Sequence, residues 1–347
     1  MKRMLCCTML VLVFALLVSS VKADKSVRIT FVGDVTLGSE ERLWEEGFSL
    51  VSFAKENGYA YFFENVKPLF EKDDLTVINL EGVLSDSAED ENTGKTYRFR
   101  GPTSFAQILT EGSVEAVNLA NNHTLDYGER GYRDTVTALD AVGIAHFGYR
   151  DEYIWEKDGV RLAFLGMSYT DAGREEQDWM ESEIARLERE EGVSAVIFTY
   201  HGGQEYGEAR TKKQAQIARR AIDAGADLVI MHHAHVVQGM SVLNNRSVLY
   251  SLGNFCFGGN KNVRAMESLA AVAELTFSDD GTYVGQQIEL YPANISGTEG
   301  KNNYQPRLVT GQAARRAIRR VQADTRFKLN ALDEERGIVR QDFLPAT

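Results

Sequence analysis

Disulfide bridges, proline-rich linkers and a basic surface are what this sequence lacks. It has three cysteines in 347 residues, and Cys6 and Cys7 stand near its start, leaving Cys256 alone in the rest. One thiol cannot close an intramolecular bridge, so the fold has to hold without one. Only five prolines occur, with no serine-rich or glutamine-rich tract and no repeat period, which excludes a linker-rich or solenoid architecture. Basic residues are outnumbered by 50 acidic to 38, for a formal charge of −12, and no basic block is long enough to follow a phosphate backbone. Nucleic acid is therefore not an expected partner. With 44% hydrophobic and 25% charged residues, what is present describes a compact acidic protein with a real core.

The first two dozen residues differ from the remainder. Lys2 and Arg3 precede an apolar run from Leu5 to Val18 broken only by Thr8, and Ser19-Ser20-Val21-Lys22-Ala23 follows. The run is short of the ~20 residues that span a bilayer, and Val21-x-Ala23 fits a small-residue cleavage site. Residues 1–23 are expected to be a signal peptide cut after Ala23; Lys22, close to the cut, keeps an uncleaved membrane anchor open as the alternative. In both cases the remainder is exported, to the periplasm, the medium or the cell surface. Loss of Lys2, Arg3 and Lys22 would move the formal charge from −12 to −15. Cys6 and Cys7 stand at the start of the apolar run and not after it, the wrong order for a lipoprotein cysteine.

Beyond the leader, short apolar runs recur at Val27–Val32, Leu75–Leu80, Val114–Leu119, Val160–Leu165, Ala195–Tyr200, Leu228–Met231 and Val248–Leu252. They read as buried strands. Helical spacing falls between several of them, at Tyr61–Phe70, Gly131–Ala141, Ser182–Glu190 and Lys212–Ala224, and this alternation indicates an α/β domain. Leu269–Phe277 and Tyr283–Leu290 flank the turn Asp279-Asp280-Gly281 as a hairpin, and a last amphipathic helix is expected at Gln312–Ala323. No break in composition forces a second domain, so 24–330 is read as one unit and 331–347 as a carboxyl-terminal tail.

Polar residues gather where the strands end. Phe31-Val32-Gly33-Asp34, Asn79-Leu80-Glu81-Gly82, Ala120-Asn121-Asn122-His123, Tyr200-His201-Gly202-Gly203 and Met231-His232-His233-Ala234-His235 each run from apolar residues into metal-type ligands. Strand ends are where α/β folds carry their sites. Taken singly, Asp34 could be a cap, Glu81 a solvated carboxylate, Asn121 and Asn122 turn formers and His201 a loop histidine. Taken together they read as a metal site, because five of only six histidines fall in these loops and carboxylate, amide and imidazole suit a divalent first-row metal. On an extended segment residues two apart face one side, so His233 and His235 can serve one centre or a close pair.

Those motifs, with Leu119-Ala120-Asn121-Asn122-His123-Thr124-Leu125-Asp126-Tyr127-Gly128, His201-Gly202-Gly203-Gln204-Glu205-Tyr206 and Ser251-Leu252-Gly253-Asn254-Phe255, resemble the bacterial capsule-synthesis proteins of the poly-gamma-glutamate (CapA-like) family. That family is a branch of the calcineurin-like metallophosphoesterase superfamily, and the resemblance runs from about Val27 to about Leu290. It implies a four-layer α/β/β/α sandwich of metallophosphoesterase type with a divalent metal centre, of manganese, iron or zinc, at the strand ends. Asp34, Glu81, Asn122, His201, His233 and His235 match its metal ligands, His201 and His233 at one metal and His235 with Asp34 and Glu81 at the other. His123 matches the histidine that protonates a leaving group, with Asp126 and Tyr127 in support.

Two departures stand out. The superfamily's Asp-x-His motif has Thr36 at its third position here, which removes an imidazole and leaves one metal or two open. Glu81 replaces an aspartate at the bridging position, which alters metal spacing or favours a larger ion. Around the centre, Arg98 and Arg100 alternate in Tyr97-Arg98-Phe99-Arg100-Gly101 and would face one way, either as a grip on a carboxylate or phosphate or as a solvated pair, and Asn254 is a further candidate for substrate contact. Arg315-Arg316 and Arg319-Arg320 read as a solvated helix face. The resemblance implies an exported protein of capsule or poly-gamma-glutamate synthesis. A metal-dependent site could cut a phosphoester or gamma-glutamyl amide, or the chain could be a non-catalytic accessory subunit of a membrane polymer synthase. An anionic polymer or phosphoester is the expected substrate.

Overall fold

The computed structural model describes residues 25–343 apart from Ala172, Glu191, Asn260 and Glu299. The expected signal peptide, its cleavage site after Ala23, Cys6 and Cys7 lie outside the described residues. In chain order the strands are β1 (Lys25–Thr36), β2 (Leu75–Leu80), β3 (Val83–Leu84), β4 (Arg100–Gly101), β5 (Ala116–Asn118), β6 (Ala145–Phe147), β7 (Tyr153–Lys157), β8 (Val160–Ser168), β9 (Ala195–His201), β10 (Leu228–His232), β11 (Met240–Leu243), β12 (Arg246–Leu249), β13 (Asn254–Phe257), β14 (Glu267–Phe277), β15 (Tyr283–Asn294), β16 (Arg307–Leu308) and β17 (Val339–Phe343). The α-helices are α1 (Leu50–Asn57), α2 (Lys67–Phe70), α3 (Ala106–Glu111), α4 (Gly128–Ala141), α5 (Arg174–Glu190), α6 (Lys212–Ala224) and α7 (Gly311–Ala323).

Two sheets face each other. One has the order β16-β15-β14-β1-β2-β5-β6, with β13 beside β1 and β17 beside β15; the other is β11-β12-β10-β9-β8-β7. Alternation along the strands sorts the side chains between faces. Ile29 and Phe31 of β1 meet Phe164 of β8, Ile197 of β9 and Ile230 of β10 between the sheets. Val32 and Val35 of β1 turn outward under α1–α4, where they meet Phe62, Phe70, Ile108 and Leu139. On the far side Leu165 and Phe198 lie under Met180 and Ile184 of α5 and Ile217 and Ala221 of α6. Helices therefore cover both outer faces, giving the four-layer α/β/β/α sandwich that the family resemblance implied. No α-helix among the described residues is long and apolar enough to cross a membrane.

Three expectations change. Tyr61–Phe70 is not one helix but a 3-10 turn at Ala60–Phe62 followed by the single turn of α2. Pro68 stands at the start of α2, and a helix running into it from upstream would lose a hydrogen bond and clash with the ring. Ser182–Glu190 is the second half of the longer α5. Finally, residues 331–347 are not all tail: β17 pairs with β15 from Gln286 to Leu290, with Val339 fully buried, because β15 otherwise exposes an unpaired edge.

Parallel pairing aims the strand ends one way. β1, β2, β5 and β6 run parallel in the first sheet, and β8, β9, β10 and β12 in the second. Their carboxyl ends bring together the five polar loops noted in the sequence.

Candidate metal centre

Asp34 is placed by an irregularity in β1. The β1–β2 register shifts between Phe31 and Asp34, and the Asp34 N–H donates to the Gly253 carbonyl at 2.8 Å. Gly33 permits this approach: a Cβ there would lie 2.2 Å from the Gly253 oxygen. The fully buried Asp34 carboxylate then meets the second sheet. Its Oδ2 accepts the His233 backbone N–H at 3.2 Å and lies 3.2 Å from His235 Nδ1, while His232 Nδ1 stands 3.2 Å from Oδ1. His233 and His235 have positive φ angles of 88° and 56°, so the loop turns both rings back over the carboxylate at a cost in backbone strain.

Glu81, just past β2, occupies the middle. It is fully buried, and its Oε1 lies 3.6 Å from His201 Nε2 and 3.8 Å from both His123 Nε2 and His235 Nε2. Neither oxygen has a hydrogen-bond partner. His201, the last residue of β9, has its Nδ1 3.1 Å from Asn79 Nδ2, and Asn122 Oδ1 lies 2.6 Å from its Nε2. Glu81, His201 and His233 form one group with ligand atoms within 4.8 Å of one another, Asp34, Glu81 and His235 a second, and Glu205, His233 and His235 a third.

His123 stands at the edge of this cluster with its ring fixed from behind. Asp126 Oδ2 lies 2.6 Å from Nδ1 and also accepts the Phe99 backbone N–H at 2.7 Å. Lys95 Nζ is ion-paired to Asp126 Oδ1 and donates to the Asn122 carbonyl at 2.6 Å. With Nδ1–H held by Asp126, Nε2 is the nitrogen turned toward Glu81. Aromatic rings close the rim: Phe99 lies 4.4 Å from His123, Tyr169 4.6 Å from His233, and Phe257 and Tyr206 5.2 and 5.9 Å from His235, centroid to centroid.

Burial and neighbouring charge sort the protonation states. Burial opposes ionisation of Asp34, yet contacts with His232, His235 and His201 hold its carboxyl well below the usual range. Burial pushes Glu81 well above that range, with His235 opposing and Asp34 adding. Burial, with His233 adding, holds His201 well below its usual value. Burial and His235 bring His233 down to about 4. His235 is raised to about 9, since Glu81 and Asp34 outweigh the burial that disfavours its charge. Burial lowers His123, against Asp126, which favours the charged ring. Neutral His201 and His233 beside ionised Asp34 are the forms that bind a metal.

The donors fit a divalent metal. A fully buried carboxylate with two unpartnered oxygens, shared between two histidine-containing groups, is an arrangement that a bridging cation satisfies and that apolar packing does not. Thr36 lies two residues after Asp34, its hydroxyl buried and without a partner, so this position offers no imidazole.

The residues proposed for substrate contact lie otherwise. Arg98 and Arg100 do not share a strand face, because β4 begins only at Arg100. Arg98 binds Glu91 Oε1 at 3.0 Å and the Lys95 carbonyl at 2.8 Å. Arg100 is buried between the Trp44 and Tyr127 rings, bound to the Ser85 carbonyl at 2.7 Å and Glu41 at 2.8 Å. Both guanidinium groups therefore hold protein partners. Asn254, 3% exposed, has its Oδ1 2.8 Å from His235 Nδ1, so it orients that ring. Asn79, Lys95, Glu205 and His232 belong to the cluster although the sequence reading assigned none of them as a ligand or catalytic residue. Asn79 had a signal, since it lies two residues before Glu81 and so faces the same side. Lys95 had none.

Carboxylates and imidazoles gathered at the strand ends of a four-layer sandwich define a protein with a candidate metal centre between two sheets. The chain belongs to the family described as bacterial capsule synthesis protein PGA_cap, which matches residues 28–259. It is 27% identical over 299 residues to the capsule biosynthesis protein CapA of Bacillus anthracis, covering 79% of this chain and 69% of that one. Over 255 residues it is 28% identical to the PGA biosynthesis protein CapA of Bacillus subtilis (strain 168), covering 68% of this chain and 64% of that one. The chain thus spans about two thirds of the length of these relatives. Among solved structures it is similar to a purple acid phosphatase from yellow lupin (Lupinus luteus) seeds, at 12% identity and a TM-score of 0.36, covering 89% of this chain and 57% of that one.

Proposed function

We propose that this protein is exported and acts in capsule or poly-gamma-glutamate synthesis through a metal-dependent, hydrolase-type site that cuts a phosphoester or gamma-glutamyl amide, alongside a membrane-bound polymer synthase. The observation that carries the reading is the pair of unpartnered Glu81 oxygens among His201, His235 and His123. Asp34, Glu81, Asn122, His201, His233 and His235 would hold one or two divalent ions. A metal bound there would lower the pKa of coordinated water and stabilise charge on the attacked centre. His123 hands a proton from Nε2 to the leaving group, and Asp126, tied down by Lys95, keeps the ring aimed and favours its charged form. Phe99, Phe257, Tyr169 and Tyr206 narrow the approach and exclude water from the cluster.

A second reading rests on Thr36, whose buried hydroxyl replaces an imidazole. Here the protein is an accessory subunit of the synthase, and its metal serves structure or grips polymer carboxylates. Two variants separate the readings, each loaded with manganese, iron or zinc and assayed for metal content and for hydrolysis of a phosphodiester and a gamma-glutamyl peptide. For the catalytic reading, His123→Ala loses about 100-fold or more in rate with its metal retained, and His233→Ala loses both. Absence of turnover by the parent with all three metals would leave the accessory reading.

A further inference from the structure

The rim of the centre carries an arginine that has no charged partner among the described residues. Arg264, exposed in the loop between β13 and β14, lies with its guanidinium carbon 3.5 Å from the centroid of the Tyr206 ring. It makes no hydrogen bond or ion pair among the described residues. Around His123 the cations are paired, Arg98 with Glu91, Arg100 with Glu41 and Lys95 with Asp126, while Lys261 in the same loop as Arg264 lies over the Phe48 ring, away from Tyr206.

Its platform is fixed to the centre. Tyr206 follows Glu205 in the loop after β9, and its backbone N–H donates to the Ala234 carbonyl, between His233 and His235, at 2.7 Å. The tyrosine has a φ of 57°, and its ring lies 5.9 Å from that of His235. Stacking occupies the flat face of a guanidinium and leaves its N–H edge open, and that edge matches the two oxygens of a carboxylate or phosphate. The acidic molecule, at −12, has reason to place a cation where an anion must approach.

We infer that Arg264, clamped on Tyr206, binds an oxyanion of the substrate that flanks the reacting bond and so sets the substrate's register on the metal centre. The inference rests on the function proposed above and deepens it by naming the feature recognised. A gamma-linked glutamyl chain offers such a group on every residue, because the linkage leaves each α-carboxylate free. A phosphodiester chain offers one in each neighbouring phosphate.

The test uses the full chain loaded with manganese and two fluorescein-labelled probes, a gamma-glutamyl decapeptide and a glycerol phosphate trimer, with binding read by anisotropy and metal content measured on the same samples. Arg264→Met is expected to weaken decapeptide binding about ten-fold or more with metal content unchanged. Arg264→Lys restores part of the loss, since it returns the charge without the planar fork, and Tyr206→Leu falls in the same direction as Arg264→Met. A decapeptide with amidated α-carboxyls should bind parent and Arg264→Met equally weakly. A loss confined to the glycerol phosphate trimer would uphold Arg264 as the oxyanion grip and overturn the gamma-glutamyl reading of function. Equal affinities of parent and Arg264→Met for both probes, or a parent that binds neither, would overturn the inference.

Discussion

Glu81 shows what one residue can cost and what it can hold. Its carboxyl is fully buried with no hydrogen-bond donor at either oxygen, a condition that costs roughly 1–3 kcal/mol against folding for a neutral polar group and more for a charged one. Metal affinity and metal-free stability should therefore move in opposite directions in Glu81→Gln. Because burial raises the folded-state pKa, the parent's contribution from this group is fully present below the unfolded pKa and is lost as pH rises through the folded one. Melted after chelation at pH 8, Glu81→Gln should unfold at a higher temperature than the parent, and the gap should shrink toward pH 5. Calorimetric titration with manganese should show the reverse order of affinity. The centre was legible at this scale because its ligands are scarce types: with six histidines in the chain, five at or just after the ends of apolar runs are conspicuous. Lys95 and Arg264 were not, because lysine and arginine are common on any surface and no spacing rule marks the one that meets an aspartate or lies flat on a tyrosine.

Asp227 does comparable work between elements. It stands just before β10, accepts the Val196 N–H of β9 at 3.0 Å and pairs with Arg246 Nε of β12 at 2.7 Å, so one carboxylate joins three strands. Burial pushes its carboxyl to about 6 in spite of Arg246. An unfolded aspartate titrates near ~4, so this group stabilises most fully below that value and loses the contribution as pH rises through about 6. Urea unfolding of Asp227→Asn should show a stability deficit relative to the parent that is larger at pH 4.5 than at pH 8, by roughly 1–3 kcal/mol. Strands such as Leu75–Leu80 and Ala195–Tyr200 could be read from sequence because a strand buried on both faces is a continuous apolar run. Tyr61–Phe70 could not, since its aromatics repeat at helical spacing while Pro68 forbids the turn that would join them.

For the molecule as a whole, the alternation of strands and helices gave the α/β class, and the resemblance, beyond any periodicity, implied the four layers. The final strand escaped because Val339–Phe343 is short and charged, and only its pairing with β15 makes it part of the sheet. A chain ended at residue 330 loses that pairing, the buried Ile338 and Val339 and the Arg340–Glu289 ion pair. The two apolar side chains alone contribute about 3–6 kcal/mol, so the shortened chain should melt well below the parent and associate through the bared edge of β15, as light scattering during a thermal ramp would register.

Asp34 belongs to one sheet, and the histidines that face it belong to the end of β10 and the loop after it in the other. A cation seated there is therefore also a seam, sewn through both halves of the sandwich at their open end. Whatever binds the folded cluster and not the unfolded chain adds its binding free energy to folding. Loss of a cation bound there would loosen the junction of the two sheets as well as empty the site, so the supply of the ion would set how long the folded molecule lasts.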